Sequence, residues 1–287
     1  MTEAPEVLKI GAVAYDPKVV NIWEGFRQWL RGRGLETTYL LFSHYEQQVD
    51  ALLGGSVDLA WNSPLAWVRC QRLASARGLA VQPLLMRDTD RDLTSVVVVR
   101  SDSQIRSAGD LAGKTVGVGA IDSPQATLLP LAHLARSGLQ HGAYTVRRFD
   151  VGVGLHGDHV GGERDAARAL MRGEVNAACV LDANHLQFAR EGTFPTGATR
   201  VLTQTPVFDH CMMTVGPAAP QDLVSRFNDL LLEMSFEDAE VRPVREMEGR
   251  KAWVPGRTSG YGPLEEATLT LGFYDKEGQI TAAEYRP

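Results

Sequence analysis

Short apolar runs and amphipathic stretches take turns along this chain almost from its beginning. The run Val7-Leu8-Lys9-Ile10-Gly11-Ala12-Val13-Ala14 alternates and ends apolar, as a buried strand does, and Pro17 suits the first turn of a helix. Val19, Ile22, Trp23, Phe26 and Leu30 then recur every three or four residues, on one helical face. Gly32 and Gly34 stop that helix before a strand-like run over 37–42. Helical spacing over 46–53 leads to a strand at 57–61 and a helix over 64–76. The middle repeats the pattern, with strands expected at 95–99, 114–119, 144–149, 175–181 and 199–203 and helices from near 123 to before 138 and over 163–172. After Pro220 the pattern turns mainly helical, with Leu223, Phe227, Leu230, Leu231 and Met234 as its apolar stripe. Strands separated by helices imply an α/β fold whose sheet is mainly parallel and covered on both faces.

One segment echoes another. Ala51-Leu52-Leu53-Gly54-Gly55-Ser56-Val57-Asp58-Leu59-Ala60 matches Ala169-Leu170-Met171-Arg172-Gly173-Glu174-Val175-Asn176-Ala177-Ala178, each a helix, a glycine stop and a buried strand. Two copies suggest two lobes of similar α/β design. The length of 287 residues accommodates them, each large enough for its own core.

With 29 Lys+Arg against 35 Asp+Glu the net charge is −6, which lacks the basic face of nucleic-acid binders. No apolar stretch approaches the roughly 18–20 residues that span a bilayer, and the acidic opening lacks the basic and apolar regions of a signal peptide. As written the chain is expected in the cytoplasm, or in the periplasm or at the cell surface if a signal has been removed. Cys70, Cys179 and Cys211 are odd in number and show no CxxC spacing, so reduced thiols are expected. GxSxG, GxxxxGK[ST] and HExxH are absent, and no cofactor is indicated.

Phe42-Ser43-His44-Tyr45-Glu46 and the run from Val57 to Trp67, with Trp61-Asn62-Ser63-Pro64 at its centre, resemble the phosphate/phosphite/phosphonate-binding proteins of ABC transporters. Ser95 to Arg100, Asp110-Leu111-Ala112-Gly113-Lys114, Arg172-Gly173-Glu174-Val175-Asn176 and Trp253 with Tyr261 and Leu264 follow in the same order as in that family. The resemblance implies a two-lobed periplasmic-binding-protein (Venus flytrap) fold. Lobe one would comprise 1–92 and 205–287 and lobe two 93–204, with two crossover strands as hinge and a ligand cleft between the lobes. Sheet physics also places a site beyond the carboxyl ends of parallel strands.

Gly117 to Thr127 reads as strand, turn and helix start. A helix N-terminus suits an anion, to which Ser123 adds a donor; equally, Asp122 or Ser123 caps the helix with Pro124 in its first turn, and the roles coexist. In the family this turn reads Ser-Thr-Ser-Gly and grips phosphonate oxygens. Here Ser123, Pro124, Gln125 and Ala126 keep one hydroxyl, and Pro124 lacks a backbone donor. The family's tyrosine before the strand is also missing near Leu93-Thr94. The expected ligand is therefore an anion or an amide-bearing molecule contacted by Gln125.

The resemblance makes Tyr45 and His159 cleft donors and places carboxylates near Asp182 and Asp209 to accept from a ligand amino group. Trp61, Asn62 and Ser63, with Tyr15 and Asp16, stand at strand ends where loops face a ligand; Asn62 offers both donor and acceptor. Alternatives stand beside these: Tyr45 as an aromatic packed under its loop, Asp182 as a helix cap. His156-Gly157-Asp158-His159 with Glu163 admits a metal reading, but without helical ligand spacing no metal is assigned. Asp209-His210-Cys211 suggests a His-assisted thiol, yet adjacent strand residues point to opposite faces, which favours Cys179 and Cys211 as core fillers.

The leading expectation is capture of a small anionic or zwitterionic metabolite by a transporter binding protein, sensor or carrier, with an ABC permease or a regulatory protein as partner. The alternative is a cytoplasmic enzyme on the same fold, a lyase or a cofactor-precursor enzyme, with His159 and His210 as catalytic candidates.

Overall fold

The structure, a computed structural model, describes residues 6–150, 159–235, 237, 241–242 and 252–287. Its first half runs β1 (Leu8–Val13), α1 (Lys18–Arg31), β2 (Thr37–Phe42), α2 (Tyr45–Leu53), β3 (Leu59–Asn62), α3 (Pro64–Ala76) and β4 (Gln82–Arg87). Next come β5 (Ser95–Arg100), β6 (Thr115–Val118), α4 (Leu129–Arg136), β7 (Thr145–Arg148), α5 (Val160–Met171), β8 (Ala177–Leu181), α6 (Asp182–Arg190) and β9 (Thr199–Gln204). The chain closes with β10 (Met212–Val215), α7 (Gln221–Glu233), β11 (Trp253–Pro255) and α8 (Gly262–Thr270).

These strands make two sheets, ordered β11-β4-β10-β3-β1-β2 and β7-β6-β8-β5-β9. Each contains a parallel trio joined by helices, β2-β1-β3 and β7-β6-β8. The internal echo is a structural one. Gly55 and Gly173 stand at φ +74° and +73°, a left-handed conformation that only glycine adopts without strain. Asp58 accepts the Lys9 N–H at 2.8 Å, and Asn176 accepts the Thr115 N–H at 2.9 Å. The backbone N–H groups of Asp58 and Asn176 return to the carbonyls of Lys9 and Thr115 at 2.8 and 2.7 Å. One polar side chain thus docks the third strand on the first in each sheet.

Both sheets are mixed rather than mainly parallel. β5 is antiparallel to β8 and β9, and β10 is antiparallel to β3 and β4. The reason lies in the crossings between sheets. Ser95 opens β5 opposite Leu181, the end of β8, and Met212 opens β10 opposite Asn62, the end of β3. A strand arriving from the other sheet enters where the parallel strands finish and has to run back. Leu93 and Phe208 lie side by side at the two crossings, each donating to the other's carbonyl at 2.8 Å.

Helix α1 turns Val19, Ile22, Trp23, Phe26, Trp29 and Leu30 onto the first sheet. The C-terminal segment has a different place. Tyr261, Leu264, Phe273, Tyr274 and Tyr285 share one apolar cluster with Leu65, Trp67 and Val68 of α3 and with Leu129 and Ala132 of α4. It therefore packs on helices of both sheets. Among the described residues no helix is long and apolar enough to cross a membrane.

Candidate ligand cleft

Four segments that follow strands meet where the two sheets face each other. Tyr45 and Glu46 open α2, Ser63 precedes α3, Asp122 follows β6, and His159 precedes α5; with Tyr274 and Tyr285 they line a cavity of about 10 Å³. That is space for roughly one water. Ser63 accepts the Ala66 N–H at 3.1 Å and so caps α3. Ser123, fully buried, does the same for the Ala126 N–H at 3.2 Å, opening a π-helical turn over Pro124–Leu128. Capping and cleft positions coincide because strand-to-helix loops point helix N-termini at the space beyond the strand ends.

Apart from half-buried Tyr45 these polar groups are buried, and acceptors on Glu46 and Gln125 lack a hydrogen-bond partner among the described residues. Glu46 Oε1 accepts from the Tyr285 hydroxyl at 3.0 Å, while Oε2 has no hydrogen-bond partner among the described residues. Gln125, 5% exposed, donates to Glu163 Oε1 at 3.1 Å, and its own Oε1 is likewise without a partner among them. Buried polar atoms are rarely left so. Glu163 also accepts from the Leu181 N–H at 2.8 Å and the Asn184 amide at 3.0 Å. Burial pushes its carboxyl pKa up, and these three donors moderate the rise. Burial, reinforced by Cys211 and Tyr15, pushes the Tyr45 phenol well above its usual range, so it stays a neutral donor.

A second group stands nearby on the first sheet's side. Arg87 bonds both oxygens of Asp90, Nε to Oδ2 at 2.5 Å and Nη2 to Oδ1 at 2.8 Å. His210 Nδ1 lies 3.5 Å from Asp90 Oδ1 and 3.1 Å from Cys211 Sγ. Burial opposes a charged imidazole, but Cys211 and Asp90 outweigh it and push the His210 pKa up to about 10. Burial likewise opposes the Asp90 carboxylate, and Arg87 and His210 overcome it, holding Asp90 well below the usual carboxylate range. His210 and Cys211 thus face each other, contrary to the expectation that they point apart. Both precede β10, and outside a strand the alternation of faces does not hold.

The other expected ligand residues have varied surroundings. Trp61 meets Trp253 edge-on at 5.4 Å, with Arg87 over its ring at 5.2 Å. Strand alternation puts Trp61 with Leu59 toward the first core and turns Asn62 to the other face. There Asn62, fully buried, accepts from Gln48 at 2.8 Å and donates to Thr214 Oγ1 at 3.0 Å. Asp209 is held by Arg257. Asp182 is the first residue of α6, where its backbone N–H reaches the Thr94 carbonyl at 2.9 Å but its side chain caps nothing. Tyr15 is 37% exposed beside Lys18, and Asp16 accepts the Lys18 N–H at 2.8 Å. His156 and Asp158 lie outside the described residues. Cys70 and Cys179 are buried in the cores.

Sequence reasoning missed Tyr274 and Tyr285, which come to the cleft only through the C-terminal segment, and Arg87 with Asp90, for which no spacing motif exists. A larger cavity of about 540 Å³ lies beneath that segment, walled by Leu128, Leu131, Tyr144, Val146, Leu271 and Phe273. Its walls are mainly apolar, unlike those of the cleft.

A family model described as the periplasmic phosphonate substrate-binding protein of ABC transporters matches residues 11–261. No curated protein matches the chain. Among solved structures, PhnD1 of Prochlorococcus marinus in complex with methylphosphonate is similar at 17% identity and a TM-score of 0.67, over 94% of this chain and 99% of that one. A Xanthomonas citri protein bound to ATP matches at 18% identity and a TM-score of 0.68, over 93% and 98%. The periplasmic aliphatic sulphonate-binding protein SsuA of Escherichia coli matches at 20% and 0.54, over 94% and 80%. Their common fold is a two-lobed α/β binding-protein fold, and this chain has it.

Proposed function

This chain belongs to the phosphonate substrate-binding protein family of ABC transporters, and from that membership we propose that it captures a small anion or zwitterion between its two lobes and presents it to a permease. Residues 1–92 with 205–287 form one lobe of this reading and 93–204 the other, with the paired crossings at Leu93 and Phe208 as the hinge. Its compartment is the periplasm, as in the family description.

One observation carries the reading: polar side chains from both sheets, half-buried Tyr45 with buried Glu46 and Ser63 from one and buried Asp122 and His159 from the other, converge on a single small cavity. Tyr45 and His159 supply donors to the anionic end. Glu46 Oε2 supplies an acceptor, which favours a ligand that also carries an ammonium or hydroxyl group. A cavity of about 10 Å³ does not admit such a molecule, so the lobes open to load it and close around it.

Calorimetry with phosphate, methylphosphonate, an aminoalkylphosphonate, methanesulfonate and simple carboxylates tests this. At least one binds, and Tyr45→Ala and His159→Ala weaken it about tenfold or more while moving the unfolding midpoint little. Absence of binding by every anion at millimolar concentration, or unchanged affinity in both variants, refutes the cleft assignment.

A further inference from the structure

Asp90, His210 and Cys211 present one oxygen, one nitrogen and one sulfur, all within 4.8 Å of one another. We propose that these three side chains form a binding site for a divalent transition cation of zinc or cobalt type.

Ligand type and spacing both fit. Thiolate, imidazole and carboxylate are the usual zinc donors, and a site with three protein ligands keeps a fourth position open. With a metal–sulfur bond of about 2.3 Å and metal–nitrogen or metal–oxygen bonds of about 2.0 Å, the edges of a tetrahedron measure roughly 3.3–3.5 Å. The edges here are 3.1 Å from His210 Nδ1 to Cys211 Sγ and 3.5 Å from the same nitrogen to Asp90 Oδ1. These two match to within a few tenths of an ångström, and the third edge, from an Asp90 oxygen to Cys211 Sγ, lies within 4.8 Å.

Hydrogen bonding accounts for only part of this arrangement. Nδ1 carries at most one proton, and one N–H cannot point well at both Sγ and Oδ1. A cation has no such directional limit. Arg87 does not close the site, because a carboxylate has about four lone-pair directions and Arg87 uses one on each oxygen. Asp90 is 2% exposed and Cys211 6%, so the cation would be largely withdrawn from water.

The position matters for the cleft. Cys211 acts electrostatically on Tyr45, and His210 on Glu163 of the second sheet's side. A divalent cation held here replaces the His210 proton and is balanced by the Asp90 carboxylate and the Cys211 thiolate, so this wall of the cleft stays close to neutral. The metal site stands whether or not the cleft takes an anion.

Cobalt(II) titration of the full chain, prepared with its thiols reduced, tests the proposal. One equivalent should produce a thiolate-to-cobalt charge-transfer band with the visible bands of a tetrahedral site, and zinc should abolish both. Cys211→Ser should lose the charge-transfer band, Asp90→Asn should weaken cobalt at least tenfold, and Cys179→Ser should change nothing. A second measurement needs no variant: zinc should protect Cys211 from alkylation, read on its peptide by mass spectrometry after a timed iodoacetamide pulse. Absence of a charge-transfer band in the wild type, a band that survives in Cys211→Ser, or alkylation of Cys211 at the same rate with and without zinc overturns the proposal.

Discussion

Arg257 grips Asp209 with two nitrogens, Nε to Oδ2 at 2.7 Å and Nη2 to Oδ1 at 2.6 Å. The Asp209 side chain is fully buried. Its Oδ1 also accepts the N–H of Asp92, the one non-glycine residue with positive φ among those described. A carboxylate that the family resemblance offers to a ligand is here a joint between the second crossing, the strained residue before the first, and the segment after β11. Arg257→Ala strands that carboxylate and should destabilise the protein by about 3 kcal/mol. The urea midpoint should fall at constant slope, and the double variant Asp209→Asn/Arg257→Met should lose less.

The same carboxylate explains Gly260. A Cβ there would lie 2.1 Å from Asp209 Cγ, which no real contact tolerates. Gly260→Ala should push Asp209 off Arg257 and lower stability by about 1–3 kcal/mol, as overpacking does. Combined with Arg257→Ala, the two losses should sum to more than the double variant shows, since both break one contact. Strict additivity would mean that the glycine serves something else.

Asn62 links β3 to α2 and β10 through Gln48 and Thr214. Asn62→Leu removes the buried acceptor for Gln48 Nε2 and the donor to Thr214. A loss of about 2–3 kcal/mol is expected, with little effect on ligand affinity once the folded fraction is accounted for. A selective loss of affinity at unchanged stability would return Asn62 to the cleft.

Glu163 gives a pH signature with a definite sign. Its folded pKa lies above the ordinary value of 4.5, chiefly through burial, so the folded state holds the proton more tightly than the unfolded chain. The stability this adds is complete below pH 4.5 and is lost as pH rises through the folded value. Glu163→Gln lacks this titration. The difference in urea midpoint between wild type and variant should therefore favour wild type most in acid and shift steadily toward the variant as pH rises. A difference that stays flat from about pH 4 to 8 would show that burial does not raise this carboxyl.

Much of the framework was legible in the chain because it is local. Periodicity located β2 and α3 at their observed limits and the other elements to which it gave bounds within a few residues, since apolar spacing reports which face a helix or strand buries; α6 and β10 received no bounds. The echo of 51–60 in 169–178 already held the doubled unit, and Gly55 and Gly173 carried its turn. Strand β4 stayed hidden behind Pro83 and polar neighbours, and β11 is three residues long; both are strands only because β10 and β4 pair with them.

The chain alone therefore determined two similar α/β units and placed Tyr45, Ser63 and Ser123 at helix starts, because capping and periodicity act over a few residues. Tertiary structure decided which polar groups stay available. Asn62 was turned to Thr214, 152 residues away, and Asp209 was taken by Arg257, while Tyr285 was brought 239 residues back to Glu46. A buried polar group is satisfied by whatever the fold packs against it, and that partner has no fixed distance along the sequence. The separation of sheet from sheet was local; the content of the cleft between them was not.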